Sequence, residues 1–216
     1  MFRTWNRALG PRVEVIPVEV ANRERFTTLR QLVDETNDQL HPRLDGPHVF
    51  FGHSFGALVA YRLACLRAVA DSCLPRALIL SSYAAPHLPP SVPIVDHLDN
   101  DQLAVLLSDL GGFPQELSGW PAFRDKALAD TRVDLRLCMT DEDGEAAALP
   151  CPIYAFGGSN DPLVSESDLH EWRSRTSEEF SVQILEGGHF YLGDGPRFLD
   201  TLRPLLSAIA AGGARC

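Results

Sequence analysis

Three residues in this 216-residue chain, met in the order serine, aspartate, histidine, have the types and surroundings for acyl transfer. Ser54 stands in Gly52-His53-Ser54-Phe55-Gly56, a G-x-S-x-G pattern that follows an apolar run and opens a second one. A serine hydroxyl is a weak nucleophile and needs a base within hydrogen-bond reach. His189, in E-G-G-H-F, is the candidate base toward Ser54 and then the acid toward a leaving group. Asp161, in F-G-G-S-N-D-P-L-V, is the candidate that holds the imidazole tautomer and stabilises the imidazolium. The order Ser, Asp, His is the one this elbow motif carries. The Phe55 backbone N–H, the first after the nucleophile, is the expected oxyanion donor. Each candidate has a plainer use: Ser54 in a chance G-x-S-x-G turn, Asp161 as the cap of a following helix and His189 as a structural imidazole, whereas His53 is itself read as structural. Asp168 and Asp194 are weaker candidates for the acid, because one falls in an expected helix and the other lies after the histidine.

The elbow works only as a strand–turn–helix. Val49–Phe51 reads as a short buried strand and Ala57–Ala70 as the helix, with Gly52 and Gly56 expected where a Cβ has no room. Around it the chain alternates strand-like and helix-like segments, which predicts a mostly parallel sheet with helices on both faces. Val13–Val20 (despite Pro17), Ala77–Ser81, Ile153–Phe156 and Phe180–Leu185 are expected strands. A helix is expected from Thr28 with a capping box to Gln31, burying Leu29, Leu32, Val33 and Leu40. A last helix spans Phe198–Ile209, with a kink expected at Pro204 and a frayed tail over Ala210–Cys216.

Residues 87–148 interrupt the alternation. They open on a proline-rich connector and continue as a helix capped by Asp99 and Gln102, with Leu103, Leu106, Leu107 and Leu110 on one face. Gly111-Gly112 should end that helix, with Pro114 just beyond, and a second helical region runs from about Pro121 to Met139. The expected organisation is therefore a core of residues 1–86 and 149–216 with a helical lid inserted at 87–148. A second helical layer of the core is the plainer reading of the insert. The leucine stripe suits packing better than contact with an acyl chain.

A formal charge of −10 argues against nucleic acid and anionic membrane surfaces as partners. No run of 18 apolar residues suggests a transmembrane helix, and the N-terminus lacks a signal-like apolar stretch. Cys65, Cys73, Cys138, Cys151 and Cys216 are odd in number without C-x-x-C spacing, so reduced thiols in a cytoplasmic protein are expected. The histidines show no metal-ligand spacing, and no metal or cofactor is expected.

Longer phrases add a resemblance. The chain resembles the type II (external, editing) thioesterases of polyketide and nonribosomal peptide synthase systems over nearly its whole length. The shared phrases are Phe2-Arg3-Thr4-Trp5, Asn22-Arg23-Glu24-Arg25, G-H-S-F-G-A, L-D-N-D-Q-L…L-G-G-F-P-Q-E-L, Arg132-Val133-Asp134-Leu135, C-P-I-Y-A-F-G-G-S-N-D-P-L-V and G-G-H-F-Y-L. The resemblance implies an α/β-hydrolase fold with a helical lid. It also implies hydrolysis of acyl thioesters from the phosphopantetheine arm of an acyl or peptidyl carrier protein, with the triad roles on Ser54, Asp161 and His189. A small-molecule carboxylesterase, a product-releasing thioesterase and a weakly active or non-catalytic partner protein fit the same residues less fully. Family members carry a strand and an F-P-x-A-G-G loop before F-R-x-W. Here the chain opens at that segment, so this strand and half of the oxyanion hole are expected to be missing, with Met1 a misassigned start. Ala21-Asn22 also replaces the family's Pro-Gly.

Overall fold

The computed structural model describes residues 2, 5–90, 92–112, 120–142, 147–193 and 197–212. Four strands, β1 (Phe50–His53), β2 (Leu78–Ser81), β3 (Ile153–Gly158) and β4 (Phe180–Leu185), form one sheet in that order. All three pairings are parallel, with Phe50 opposite Leu78, Leu78 opposite Ile153 and Ile153 opposite Phe180. Parallel strands covered on both faces bury nearly every side chain, and β2 and β3 are buried at every position.

Alternation sorts those side chains into two layers. Leu78, Leu80, Ile153 and Ala155 face a core that includes α2 (Leu29–Leu40), α3 (Phe55–Val69) and Trp172. Ala77, Ile79, Tyr154 and Phe156 face the opposite core, built with α1 (Trp5–Leu9) and α7 (Arg197–Ala211). The helix α3 carries buried residues on most of its circumference because it lies directly behind the sheet. The expected capping box starts α2, with Thr28 accepting from Gln31 N and the Gln31 side chain accepting from Thr28 N. Pro204 lies inside α7.

The insert forms α4 (Asn100–Asp109) and α5 (Pro121–Cys138), the first with the expected Asp99–Gln102 capping box. Leu103 and Leu107 of α4 pack with Leu128 of α5 and Val95 in a small apolar cluster of their own. The leucine stripe is thus spent on packing. Arg132 donates to the carbonyls of Val95 and Leu98 and closes the connector over that cluster. Two ion pairs tie α5 and its exit to the core: Arg23 to Asp134 at 2.5 Å, and Arg62 bidentate to Asp141 at 2.7 and 2.6 Å.

The structure departs from expectation in three places here. Val13–Val20 forms no strand. Val13 and Val15 are partly buried against the core cluster that includes Trp5, Ile79 and Phe156, while Asn6 grips Val15 through both backbone groups, its amide donating to the carbonyl and its Oδ1 accepting from the N–H. A side-chain amide there satisfies what a neighbouring strand would have satisfied. Cys73 is disulfide-bonded, whereas Cys65, Cys138 and Cys151 stay out of disulfides as expected. Arg76 donates to the Ala210 carbonyl, so the end of α7 lies against the loop that holds Cys73. That is a proximity sequence spacing does not reveal, and it leaves the argument for a reducing compartment resting on fewer thiols. Ala210 and Ala211, expected in a frayed tail, belong to α7, which continues to Ala211; residues 213–216 lie outside the described residues. Pro114, Asp194 and Cys216 lie outside the described residues.

Candidate active site

The C-terminal ends of parallel strands meet along one edge of a sheet, the usual place for a ligand. The elbow follows β1, Ser82 follows β2, the Asp161 loop follows β3 and the His189 loop follows β4. Ser54 takes φ 52° and ψ −125°, a conformation uncommon for a residue with a Cβ and of the kind found stored at functional sites. Its N–H donates to the Ser81 carbonyl at 2.8 Å, which pins the turn to β2. A Cβ on Gly52 would lie 2.1 Å from the Gly56 carbonyl oxygen, so no side chain fits there. A Cβ on Gly56 meets nothing within 4 Å. Only the first of the two glycines is therefore explained by crowding of its own Cβ.

His189 Nε2 lies 3.0 Å from Ser54 Oγ, and its Nδ1 lies 3.0 and 3.1 Å from the two Asp161 carboxylate oxygens. An ionised carboxylate only accepts, so Nδ1 carries the proton and Nε2 is left to accept from the serine hydroxyl. Both partners are buried, with side-chain exposure of 3% for His189 and 0% for Asp161. Burial by itself would raise the Asp161 pKa. Hydrogen bonds from His189, the Leu163 N–H and the Ser82 hydroxyl outweigh it and hold the carboxyl below its usual value. Its Oδ1 accepts from the N–H groups of Leu163 and Val164.

The competing uses of these residues are taken elsewhere. The helix α6 (Glu166–His170) is capped by Ser165 in a box with Asp168, so Asp161 is not its cap. Asp168 is occupied by the N–H and hydroxyl of Ser165 and does not reach His189. Phe55 begins α3, where the first N–H groups have no partner inside the helix. His53 stays out of the chain from Ser54 to Asp161; its Nδ1 is 2.9 Å from Ser81 Oγ, itself 2.7 Å from Tyr191 OH. Burial, and then repulsion by His189, push the His53 pKa down to about 3, so this imidazole is neutral.

Sequence reading missed Ser82 and Phe190. Ser82 is fully buried with φ 49°, and its hydroxyl lies 3.3 Å from the His189 carbonyl and also bonds the Asp161 carboxylate. The signal available was only its place at the end of a buried strand. The Phe190 ring packs edge-on to the His189 imidazole at 5.0 Å between centroids. Among the described residues, no three His, Cys, Asp or Glu side chains group as a metal site. No described helix is long and apolar enough to cross a membrane.

A parallel sheet sandwiched by helices, with a serine elbow at its C-terminal edge, defines an α/β-hydrolase fold. The sequence matches the thioesterase domain family over residues 1–206, and the chain belongs to that family. It is 30% identical to the gramicidin S biosynthesis protein GrsT of Aneurinibacillus migulanus over 197 residues, covering 88% of this chain and 77% of GrsT. Among solved structures it is similar to RedJ, a thioesterase from the prodiginine biosynthetic pathway in Streptomyces coelicolor. That match has 33% identity and a TM-score of 0.84, covering 94% of this chain and 79% of RedJ. It is also similar to YbtT, a type II thioesterase from the yersiniabactin NRPS/PKS pathway, at 26% identity and a TM-score of 0.69, covering 86% and 74% of the two chains. The chain is thus a thioesterase-family hydrolase whose homologues include type II thioesterases.

Proposed function

We propose that this protein hydrolyses acyl groups from the phosphopantetheine arm of an acyl or peptidyl carrier protein, as an editing enzyme of a polyketide or nonribosomal peptide assembly line. The observation that carries the chemistry is the continuous hydrogen-bond chain from Ser54 Oγ through His189 to Asp161, with 3.0 Å at each end of the imidazole. In this reading His189 takes the Ser54 proton as Oγ attacks the thioester carbonyl. The Phe55 N–H, at the positive end of α3, faces the developing oxyanion. Collapse of the tetrahedral intermediate breaks the C–S bond, and His189 returns the proton to the departing thiolate. That thiol leaves readily, with a pKa near that of Cys, about 8.5. Water, deprotonated by His189, then attacks the acyl-Ser54 ester and releases the acid. No group beyond the protein is required.

Residues 87–148 act as a lid over the site in this account. Their own apolar cluster supports a semi-independent unit, joined to the main core through Cys138 of α5 and the ion pairs of Arg23 and Arg62. The test is a comparison of acyl release from acyl-phosphopantetheine carriers with hydrolysis of simple oxygen esters of the same acyl group. Faster release from the carrier supports the reading. Preference for free esters, with no release from carriers, would make the protein a small-molecule esterase instead.

A further inference from the structure

Gly112 and Phe190 touch across the boundary between insert and core, and the contact leads to the candidate base. A Cβ built on Gly112 would fall 2.1 Å from Phe190 Cε2 and 2.4 Å from Cζ, so the ring occupies the space a side chain would need. The same ring lies edge-on to His189, with centroids 5.0 Å apart and planes at 81°. It also lies 5.3 Å from the His53 ring.

The position of Gly112 is in turn set by α4. The helix closes with the Gly112 N–H donating to the Leu107 carbonyl and the Gly111 N–H to the Ser108 carbonyl, both at 2.9 Å. Gly111 takes the left-handed conformation, φ 79°, that this Schellman closure needs. The backbone bond fixes Gly112 to the last turn of α4, and Leu107 of that turn is packed into the insert's own cluster. Displacing α4 therefore moves Gly112 against or away from the ring beside His189.

We propose that Phe190 is a positioning residue that reports the seating of the insert to His189, and that Gly112 is the surface it reads. With α4 seated, the bare backbone at 112 lets the ring lie edge-on to the imidazole and hold Nε2 toward Ser54. A side chain at 112 drives the ring out of that place. This inference rests on His189 being the base toward Ser54.

The experiment is the rate at which a fluorophosphonate labels Ser54, alongside thermal melting, in the intact protein. The wild type labels and Ser54→Ala does not; failure there overturns the reading of the site itself, not this coupling. Given wild-type labelling, Gly112→Ala slows it by about tenfold to a hundredfold, the range that small misplacements of reacting groups produce. Shrinking the ring in the same background, Gly112→Ala with Phe190→Leu, recovers labelling above the Gly112→Ala level. A Gly112→Ala protein that labels at the wild-type rate, or a double variant no faster than Gly112→Ala alone, overturns the proposal. Should Gly112→Ala fail to fold, Phe190→Ala carries the test with the α4 closure intact. Slower labelling at an unchanged melting temperature then supports the coupling, and unchanged labelling contradicts it.

Discussion

The two glycines of the elbow look alike in sequence and differ in the folded chain. Gly52 sits against the backbone of Gly56 and Ala57, and Gly56 faces open space. Gly52→Ala should therefore destabilise by at least about 2 kcal/mol, as overpacking against backbone that cannot yield does, and abolish Ser54 labelling. Gly56→Ala should retain both fold and labelling. Equal losses in the two variants, read by melting temperature and probe, would contradict this assignment. His53 makes a second residue-scale prediction. Its ordinary pKa of 6.5 falls to about 3 on folding, chiefly through burial. Between those values the unfolded chain takes up a proton that the folded one refuses. Stability from this residue is thus full above pH 6.5 and is lost as pH falls toward 3. A His53→Gln variant should show a flatter fall of melting temperature over that window, and an unchanged slope would count against a neutral buried imidazole.

At the scale of elements, the insert is tied to the core through buried side chains, among them Cys138 and the Arg62–Asp141 pair. Arg62 and Asp141 are only 13% and 12% exposed and meet bidentately, so removing one partner strands the other. Arg62→Met should cost about 3 kcal/mol, and hydrogen exchange should rise first in α5 and the segment leading to Asp141. Exchange that rises uniformly over the sheet would mean the insert is not a separate unit. This was only partly legible in the sequence. The capping boxes at Thr28 and Asp99, the Gly111 closure and the strands after residue 76 could be read because each is a local signal with a local cause. The ties Arg23–Asp134 and Arg62–Asp141 could not, since each joins positions far apart in the chain with no pattern between them. Val13–Val20 misled for a related reason: β-branched alternation reports a half-buried extended segment, and pairing depends on whether a strand lies beside it. Asn6 fills that place for Val15.

At the scale of the whole molecule, the parallel sheet gathers at one edge three residues from a stretch of chain spanning more than a hundred positions. The Ser54 elbow was readable because it is a contiguous motif. His189 and Asp161 were readable from strand-end glycines and chain order, whereas Ser82 and Phe190 became visible only when the loops were folded together. The central claim is that the gathered residues work through an acyl group carried on Ser54. Rapid quenching after mixing with an acyl-phosphopantetheine carrier, followed by mass analysis of the peptide containing Ser54, tests it most directly. That peptide should be heavier by the acyl group, transiently in the wild type and never in Ser54→Ala, which should also release no acid. Acid release from Ser54→Ala at the wild-type rate, with no acylated peptide at any time, would contradict it.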